Sequence, residues 1–83
     1  MSHFFYLARC RDDSLYSGYS QDLEKREKAH NSGKGAKYTA GRRPVKIIYF
    51  EKFDSKSAAL KREIAVKKMS RAEKLKLVGA KNC

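Results

Sequence analysis

Two apolar runs separated by a polar segment at the start of the chain predict two short strands. Residues 3 to 10 form an apolar and aromatic run, and residues 15 to 19 form a second run that is rich in tyrosine. The polar segment from 11 to 14 between them has the composition of a turn. The pattern therefore predicts a β-hairpin.

A third strand is predicted from Val45 to Phe53, which is the most β-prone stretch of the chain. Its apolar residues at positions 47, 48, 49 and 50 are consecutive, and consecutive apolar positions indicate a strand that is covered on both faces. We therefore expect this third strand to be well buried.

A first helix is predicted between the hairpin and the third strand, from Leu23 to about Asn31. Asp22 precedes it and can cap its amino end, and the run Asn31-Ser32-Gly33 marks its carboxyl end. The segment from Gly33 to Pro44, which includes a flexible Gly35, is predicted to be a basic loop.

Two further helices are predicted after the third strand. The first of them can be capped by Asp54 or Ser55. Its stripe follows Leu60, Ile64 and Lys67 at i, i+4 and i+7, and Ala59 and Val66 widen it. The second is short and begins at the capping box Ser70-Arg71-Ala72-Glu73, followed by Leu75 and Val78. The order β-β-α-β-α-α predicts an α+β fold in which a small three-stranded antiparallel sheet is flanked by helices, in a single domain over residues 1 to 83.

The charge of the chain indicates a polyanionic partner. Its 83 residues include 20 lysines and arginines against 9 acidic residues, which gives a formal net charge of +11. A hydrophobic content of 41% argues against a disordered basic tail. No apolar run approaches the roughly 18 to 20 residues that span a bilayer, so we expect no attachment to a membrane. Nucleic acid is therefore the expected partner.

The cysteines and the start of the chain favour a reduced, cytoplasmic location. Cys10 and Cys83 show no CxxC spacing, and the first residues lack a basic leader and a cleavage site. Two cysteines and two histidines are scattered without ligand spacing, so we expect neither zinc nor a small-molecule cofactor.

Five polar side chains stand where a small fold would otherwise place apolar ones: Tyr6, Tyr16, Arg26, His30 and Glu63. Two phenols, a guanidinium, an imidazole and a carboxylate can activate a water, hold a phosphate and bind one hard metal ion. Arg26 and His30 are four residues apart on one predicted helix and therefore project from the same face. The group indicates a site that cuts phosphodiester bonds.

The hairpin must meet a geometric condition for this site to form. A two-residue loop at Asp12-Asp13 would place Tyr6 and Tyr16 on opposite faces of the sheet. We therefore predict an irregular hairpin near residues 11 to 13, with a three-residue loop or a bulge that brings the two phenols to one face.

The same residues carry a resemblance to a known family. Phe4-Phe5-Tyr6 stands where the motif GIY stands, Tyr16-Ser17-Gly18 stands where YIG stands, and Arg26, His30 and Glu63 follow in register. The chain resembles a GIY-YIG nuclease domain from about residue 3 to residue 78. The stretch from His30 to Thr39, followed by Gly41-Arg42-Arg43-Pro44, resembles the small single-domain bacterial branch of that superfamily, which is UPF0213-like and related to the nuclease domain of the Slx1 structure-specific endonucleases.

The resemblance implies a metal-dependent endonuclease that hydrolyses phosphodiester bonds in nucleic acid. DNA is the favoured substrate and RNA the second. It implies one divalent ion, Mg²⁺ or Mn²⁺, held by Glu63 with waters and a phosphate oxygen. In the family's scheme Tyr6 helps to deprotonate the attacking water, and Tyr16 orients that water. Arg26 neutralises charge on the phosphorus, and His30 assists by hydrogen bonding or proton transfer. A phenol with its ordinary pKa of about 10 can take this proton only where nearby cations or metal-bound water favour its ionised form.

The predicted basic loop is a candidate nucleic-acid contact, because four cations surround an aromatic ring and glycines allow close approach. Its candidate residues are Lys34, Lys37, Tyr38, Arg42 and Arg43. The same loop cations could instead only keep the protein in solution.

Each candidate also has a plainer interpretation. Tyr6 and Tyr16 could be packing aromatics of strands, and Arg26 and His30 could form a solvated helix face. Glu63 could form only a salt bridge to Lys67. A nucleic-acid-binding module without catalytic activity is therefore the second functional hypothesis, and a scaffold that recruits a protein partner is a third.

Overall fold

The computed structural model describes residues 2–34 and 37–82, and within them three strands form one antiparallel sheet. The strands are β1 (His3–Arg9), β2 (Leu15–Ser20) and β3 (Lys46–Phe53), and their order across the sheet is β2-β1-β3. The predicted three-stranded antiparallel sheet is therefore confirmed.

Helices flank this sheet in the predicted order, with one addition. They are α1 (Leu23–Asn31), α2 (Lys37–Ala40), α3 (Lys56–Lys67) and α4 (Arg71–Asn82). Helix α2 is a single turn inside the segment that was expected to be an irregular loop. Among the described residues, no helix has both the length and the apolar character needed to cross a membrane.

The capping residues act as the sequence predicts. The Asp22 side chain accepts a hydrogen bond from the backbone nitrogen of Lys25 at 3.0 Å. At the start of α4, Glu73 accepts from the Ser70 backbone nitrogen at 3.1 Å, and the Glu73 nitrogen donates back to the Ser70 hydroxyl at 3.2 Å. These bonds satisfy backbone donors that a helix start leaves free, which fixes where α1 and α4 begin.

The hairpin between β1 and β2 is irregular, as predicted. The backbone nitrogen of Cys10 donates to the Ser14 carbonyl at 2.9 Å, so three residues form the loop. Asp13 has a φ of 67°, in the left-handed region that a three-residue hairpin loop uses. The resulting register pairs Ala8 with Tyr16, which places Tyr6 and Tyr16 on the same face of the sheet.

The expectation of a well-buried third strand is wrong, because the buried strand is β1. Residues 5 to 8 of β1 are 0% exposed. No residue of β3 is fully buried, and Phe50 keeps 40% of its surface exposed. β3 pairs with β1 along one side only and forms an edge of the sheet. Its apolar run is therefore not covered along its whole length.

Two apolar clusters lie on opposite faces of β1. Tyr6, Ala8, Cys10 and Val45 form the first cluster, with Tyr16, Leu23 and Ile47 packed against it. The second cluster consists of Phe5, Leu7 and Val66, with Met69, Leu77 and Val78 among the residues around it. Helix α1 therefore covers the face that carries Tyr6, and α4 packs on the other face.

Helix α3 is rotated relative to the stripe that hydrophobicity predicted. Ile64 is 55% exposed, whereas Ala59 and Val66 are 0% exposed. Positions 59 and 66 are seven residues apart and lie on one side of the helix, which is also the side of position 63. Of the predicted stripe, Ala59 and Val66 are thus buried, whereas Ile64 is not.

Candidate active site

Tyr6 is at the centre of the candidate site. It lies in the middle of β1, its side chain is 0% exposed, and its ring passes over Gly18 on β2, where a Cβ would overlap it. The Tyr6 hydroxyl lies 2.7 Å from Nε2 of His30 and accepts a hydrogen bond from Nε of Arg26 at 3.3 Å. β1 thus brings a buried phenol to two polar groups of α1.

His30 connects this phenol to Thr39, a residue to which the sequence analysis assigned no role. The imidazole is 0% exposed, and its Nδ1 lies 2.8 Å from the hydroxyl oxygen of Thr39, which is also 0% exposed. Thr39 is held in place by α2, inside the predicted loop. Thr39 lies in the stretch that carries the family resemblance, but no periodic pattern identifies a buried hydroxyl in a one-turn helix.

Burial sets the protonation of these groups. Burial raises the pKa of Tyr6 more than the hydrogen bond and charge of Arg26 lower it, while Tyr16 and Glu63 raise it further. Burial first and then the charge of Arg26 lower the pKa of His30. The charge of Arg26 favours the ionised phenol, but burial outweighs it, so Tyr6 is protonated in the substrate-free protein.

We assign the hydrogen atoms from these contacts. If the Tyr6 hydroxyl donates to Nε2 of neutral His30, the ring hydrogen is on Nδ1 and donates to the Thr39 hydroxyl. The Tyr6 oxygen in turn accepts from Arg26, which can only donate. The four side chains form a continuous hydrogen-bonded chain that is aligned for proton transfer from Tyr6 to His30.

Arg26 and Tyr16 complete this side of the site. The hydrogen bond to Tyr6 is the main cause that raises the pKa of Arg26, and Tyr16 adds to it. The Tyr16 ring centre lies 5.4 Å from that of His30 and 6.3 Å from that of Tyr6.

Arg26 also lines an open cavity of about 320 Å³ together with Ser20, Gln21, Asp22, Lys25 and Ala29. A phosphate in that cavity would meet the guanidinium that already contacts Tyr6.

Glu63 lies on α3, the helix whose Val66 packs on the Phe5 and Leu7 face of β1. Its side chain is 16% exposed and forms an ion pair with Nζ of Lys67 at 3.3 Å, which is the plainer role expected for it. Its negative charge also reaches Tyr6, because it is one of the causes that raise the pKa of that phenol. Helix α3 contacts both β1 and β2, the strands that carry the two phenols.

Glu63 is the residue expected to hold a divalent ion. Within residues 2–34 and 37–82 no group of three or more histidine, cysteine, aspartate or glutamate side chains is placed to hold a metal ion. A single carboxylate is sufficient for Mg²⁺, which retains much of its water and uses few protein ligands. Glu63 is therefore a single candidate carboxylate ligand and not part of a cluster of such side chains among the described residues.

The predicted basic contact is only partly a free surface. Lys34 and Lys37 are exposed. Arg42 forms an ion pair with Asp12 at 3.1 Å, and Arg43 donates to the Ala40 carbonyl at 2.9 Å. These two arginines hold the segment against the hairpin and against α2. The side chain of Tyr38, like Gly35, lies outside the described residues.

Comparison with known proteins agrees with this geometry. The family model of the GIY-YIG catalytic domain matches residues 2–76, and the chain belongs to that family. Within it, the chain is similar to the UPF0213 proteins: one from Staphylococcus saprophyticus is 57% identical over 92% of this chain and 93% of its own length. Another from Haloquadratum walsbyi is 51% identical over 90% of this chain and 84% of its own length.

Solved structures of such relatives have the same fold. The solution NMR structure of a UPF0213 protein from Bacillus halodurans matches with a TM-score of 0.63 and 46% identity, over 98% of this chain and 86% of that one. The NMR structure of a protein from E. faecalis matches with a TM-score of 0.66 and 46% identity, over 99% of this chain and 88% of that one. The membership in the GIY-YIG family, expected from the motifs, is confirmed.

Proposed function

We propose that this protein is a metal-dependent endonuclease that hydrolyses phosphodiester bonds in nucleic acid, DNA ahead of RNA. The observation that carries the proposal is the buried hydrogen-bonded chain from Arg26 through Tyr6 and His30 to Thr39, inside a fold whose family is that of GIY-YIG nucleases. A purely structural phenol would need one partner, whereas this one is held between a cation and a neutral base.

Tyr6 and His30 together solve the problem of using a phenol as a base. Tyr6 is protonated, so it can take a proton from a water only if it gives up its own. Its hydroxyl donates to Nε2 of His30, so the water proton moves to the Tyr6 oxygen while the phenol proton moves to Nε2. The products are hydroxide, neutral Tyr6 and an imidazolium. The Nδ1–H of that imidazolium stays bonded to Thr39.

Arg26 and Tyr16 act on the phosphate and on the water. The guanidinium of Arg26 stays charged and presents several N–H donors, so it can stabilise negative charge that develops on the phosphoryl oxygens. Phosphate also offsets the charge repulsion between Arg26 and a protonated His30. Tyr16 lies beside both Tyr6 and His30, where its hydroxyl can orient the attacking water.

Glu63 would hold the divalent ion. Nucleases of this family generally use divalent metal ions, and Mg²⁺ or Mn²⁺ suits a site with one carboxylate. When bound, such an ion supplies positive charge that stabilises the phosphoryl oxygens and the leaving oxygen. Glu63 must then exchange its contact with Lys67 for the ion, which its partial exposure allows.

The proposal is tested by a cleavage panel of single-stranded, duplex, flap and branched DNA and of RNA. We expect nicking of at least one substrate in Mg²⁺ or Mn²⁺ and none in EDTA. The Glu63→Ala protein, purified in parallel, should be inactive, and it reveals any contaminating nuclease. If the wild type cuts nothing under any of these conditions, or if Glu63→Ala cuts equally well, the proposal is wrong.

The alternative is a nucleic-acid-binding module, which the net charge of +11 and the existing Glu63–Lys67 ion pair favour. Such a module would bind mainly through phosphates, with an affinity that falls steeply as salt rises. Binding that persists in Arg26→Ala and Glu63→Ala, without turnover by the wild type, would select this alternative.

The neutral, buried His30 predicts that stability depends on pH. Its pKa in the folded protein lies below the ordinary value of 6.5, so the unfolded chain binds a proton at a pH where the folded chain does not. The contribution of His30 to the free energy of unfolding should therefore be fully present above pH 6.5. It should decrease as the pH falls from there toward the lowered pKa. Urea unfolding at about pH 7.5 and about pH 5.5 measures the loss.

Two histidine variants isolate the source of this effect. His30→Gln should show a smaller loss of stability between the two pH values than the wild type. His3→Gln changes the chain's other histidine and should keep the wild-type loss. A loss of the same size in the His30→Gln protein would contradict the prediction.

A further inference from the structure

The Asn31 side chain joins the end of α1 to the residue that precedes β3. Its Nδ2 donates a hydrogen bond to the Val45 carbonyl at 2.9 Å, and its Oδ1 accepts one from the Val45 backbone nitrogen at 2.6 Å. The side-chain amide thus pairs with both backbone groups of one residue, as a residue on a neighbouring strand would. Val45 is 2% exposed, so its backbone groups depend on Asn31 for the partners that buried groups need.

Arg43 makes a second connection between the same parts of the chain. Its Nε donates to the Ala40 carbonyl at 2.9 Å, and its Nη1 donates to the Asn31 carbonyl at 3.4 Å. Ala40 ends α2 and Asn31 ends α1, and the last carbonyls of a helix have no partner within the helix. One guanidinium therefore bridges the carboxyl ends of the two helices.

These two connections hold the helical turn that carries Thr39. Helix α2 has only four residues, which is too short for a stable helix in isolation, so its position depends on its surroundings. The segment that follows it is attached to the end of α1 at Arg43 and at Val45. Helix α1 also carries His30, whose Nδ1 lies 2.8 Å from the Thr39 hydroxyl. The contacts of Asn31 thus help to set the distance between Thr39 and His30.

We propose that Asn31, together with Arg43, is a positioning residue that keeps the Thr39 hydroxyl on Nδ1 of His30. The hydrogen bond at one ring nitrogen of a histidine determines which of the two nitrogens carries the hydrogen. A hydroxyl that accepts from Nδ1–H leaves Nε2 as an acceptor for the Tyr6 hydroxyl, which lies 2.7 Å away. The inference rests on the proposed function, because only this form of neutral His30 can take a proton from Tyr6.

The place of Asn31 on α1 agrees with this role. Arg26 and His30 are four residues apart and contact the phenol, and Glu27 and Asn31, one position further along, are also four apart. The Glu27 carboxylate accepts a hydrogen bond from the Ile47 backbone nitrogen at 2.9 Å. One side of α1 therefore contributes to the site, and the adjacent side attaches the helix to the chain around the start of β3. Of this second pair, Asn31 bonds the segment that follows α2, whereas Glu27 bonds β3 itself.

The test reads the ring nitrogens of His30 by NMR in the absence of nucleic acid. Long-range proton–nitrogen correlation at about pH 8, where His30 is neutral, identifies the nitrogen that carries the hydrogen. We expect this nitrogen to be Nδ1 in the wild type. In Asn31→Ala the two nitrogen shifts should move toward each other, because Nδ1 and Nε2 then share the hydrogen. Glu27→Ala removes another side-chain bond from α1 to a backbone nitrogen and should keep the wild-type pattern.

Arg43→Ala keeps the test independent of any folding defect in Asn31→Ala. Arg43 is exposed, and its truncation leaves both bonds between Asn31 and Val45 in place. The His30 shifts should change in the same direction as in Asn31→Ala, while those of His3 stay the same. A hydrogen on Nε2 in the wild type, or an unchanged Nδ1–H in Arg43→Ala or in folded Asn31→Ala, would overturn the inference. An equal change in Glu27→Ala would indicate only a general loosening of α1 and would also overturn it.

Cleavage kinetics separate this inference from the proposed function. On a substrate that the wild type cuts, Asn31→Ala should lower kcat about tenfold and leave KM unchanged, because Asn31 acts on proton transfer and not on binding. A wild-type kcat in a variant with changed shifts would contradict the inference. Changed shifts together with a silent cleavage panel would keep the positioning role and remove the nuclease. Metal-dependent cleavage by a protein whose His30 shifts do not respond to Asn31→Ala and Arg43→Ala would do the reverse.

Discussion

Replacing Glu63 with glutamine is expected to lower metal-dependent cleavage by about a thousandfold, because the ion contributes several kcal/mol to stabilising the transition state. Glutamine keeps the size of the side chain and removes only its negative charge. Affinity for nucleic acid in the absence of metal should stay the same or rise slightly, since a negative charge is lost. Initial rates over a range of Mg²⁺ concentrations, on a substrate that the wild type cuts, measure the effect.

Lys67→Gln is the matched control for this experiment. It breaks the same ion pair at 3.3 Å from the other side and leaves the carboxylate in place. We expect its cleavage rate to match the wild type and its stability to fall by no more than about 0.5 kcal/mol. If Glu63 served only that ion pair, the two variants would have the same small effect on stability and the same undiminished activity.

Gly18→Ala is expected to reduce cleavage by about a hundredfold and to destabilise the protein by about 1 to 3 kcal/mol. A Cβ at this position would overlap Cζ and the hydroxyl of the Tyr6 ring. Gly18 is not in the left-handed region, so the cost is steric rather than conformational. The ring must move, and it would then lose its hydrogen bonds to Arg26 and His30. Urea unfolding and initial cleavage rates measure the two effects.

Gly41→Ala provides the comparison for Gly18→Ala. A Cβ on Gly41 would meet no heavy atom within 4 Å, and Gly41 has no positive φ. The same change of glycine to alanine should therefore leave both stability and cleavage close to the wild type. A Gly18→Ala protein with wild-type activity would show that the position of the Tyr6 ring does not matter for the reaction.

Local features of the sequence predicted most of the fold. Caps such as Asp22 and the Ser70–Glu73 pair are decided by neighbouring residues, and they lie where the pattern placed them. The position of a strand within the sheet is not a local property. The apolar run at 47 to 50 predicted a buried strand, but β1 has a neighbour on each side and β3 has one. The exposure of Ile64 has the same origin, because the sheet and not the stripe decides how α3 is rotated.

The candidate site was predicted less completely. Helical spacing and the motif resemblance together named Tyr6, Arg26 and His30, which the structure joins by hydrogen bonds. Thr39 could not be found in this way, because its contact with His30 depends on a single helical turn that no pattern announces. The direction of the Tyr6 pKa also requires the fold, since burial outweighs the adjacent arginine.

The position of α4 has a practical consequence. This helix packs against the Phe5 and Leu7 side of the sheet, whereas the phenols and the imidazole lie on the reverse side. Its exposed residue Leu75 is thus a suitable place for a cysteine that carries a dye or a tether to a bead. A molecule immobilised there would keep the side with Tyr6 and His30 away from the support, which suits single-molecule tests of the proposed cleavage.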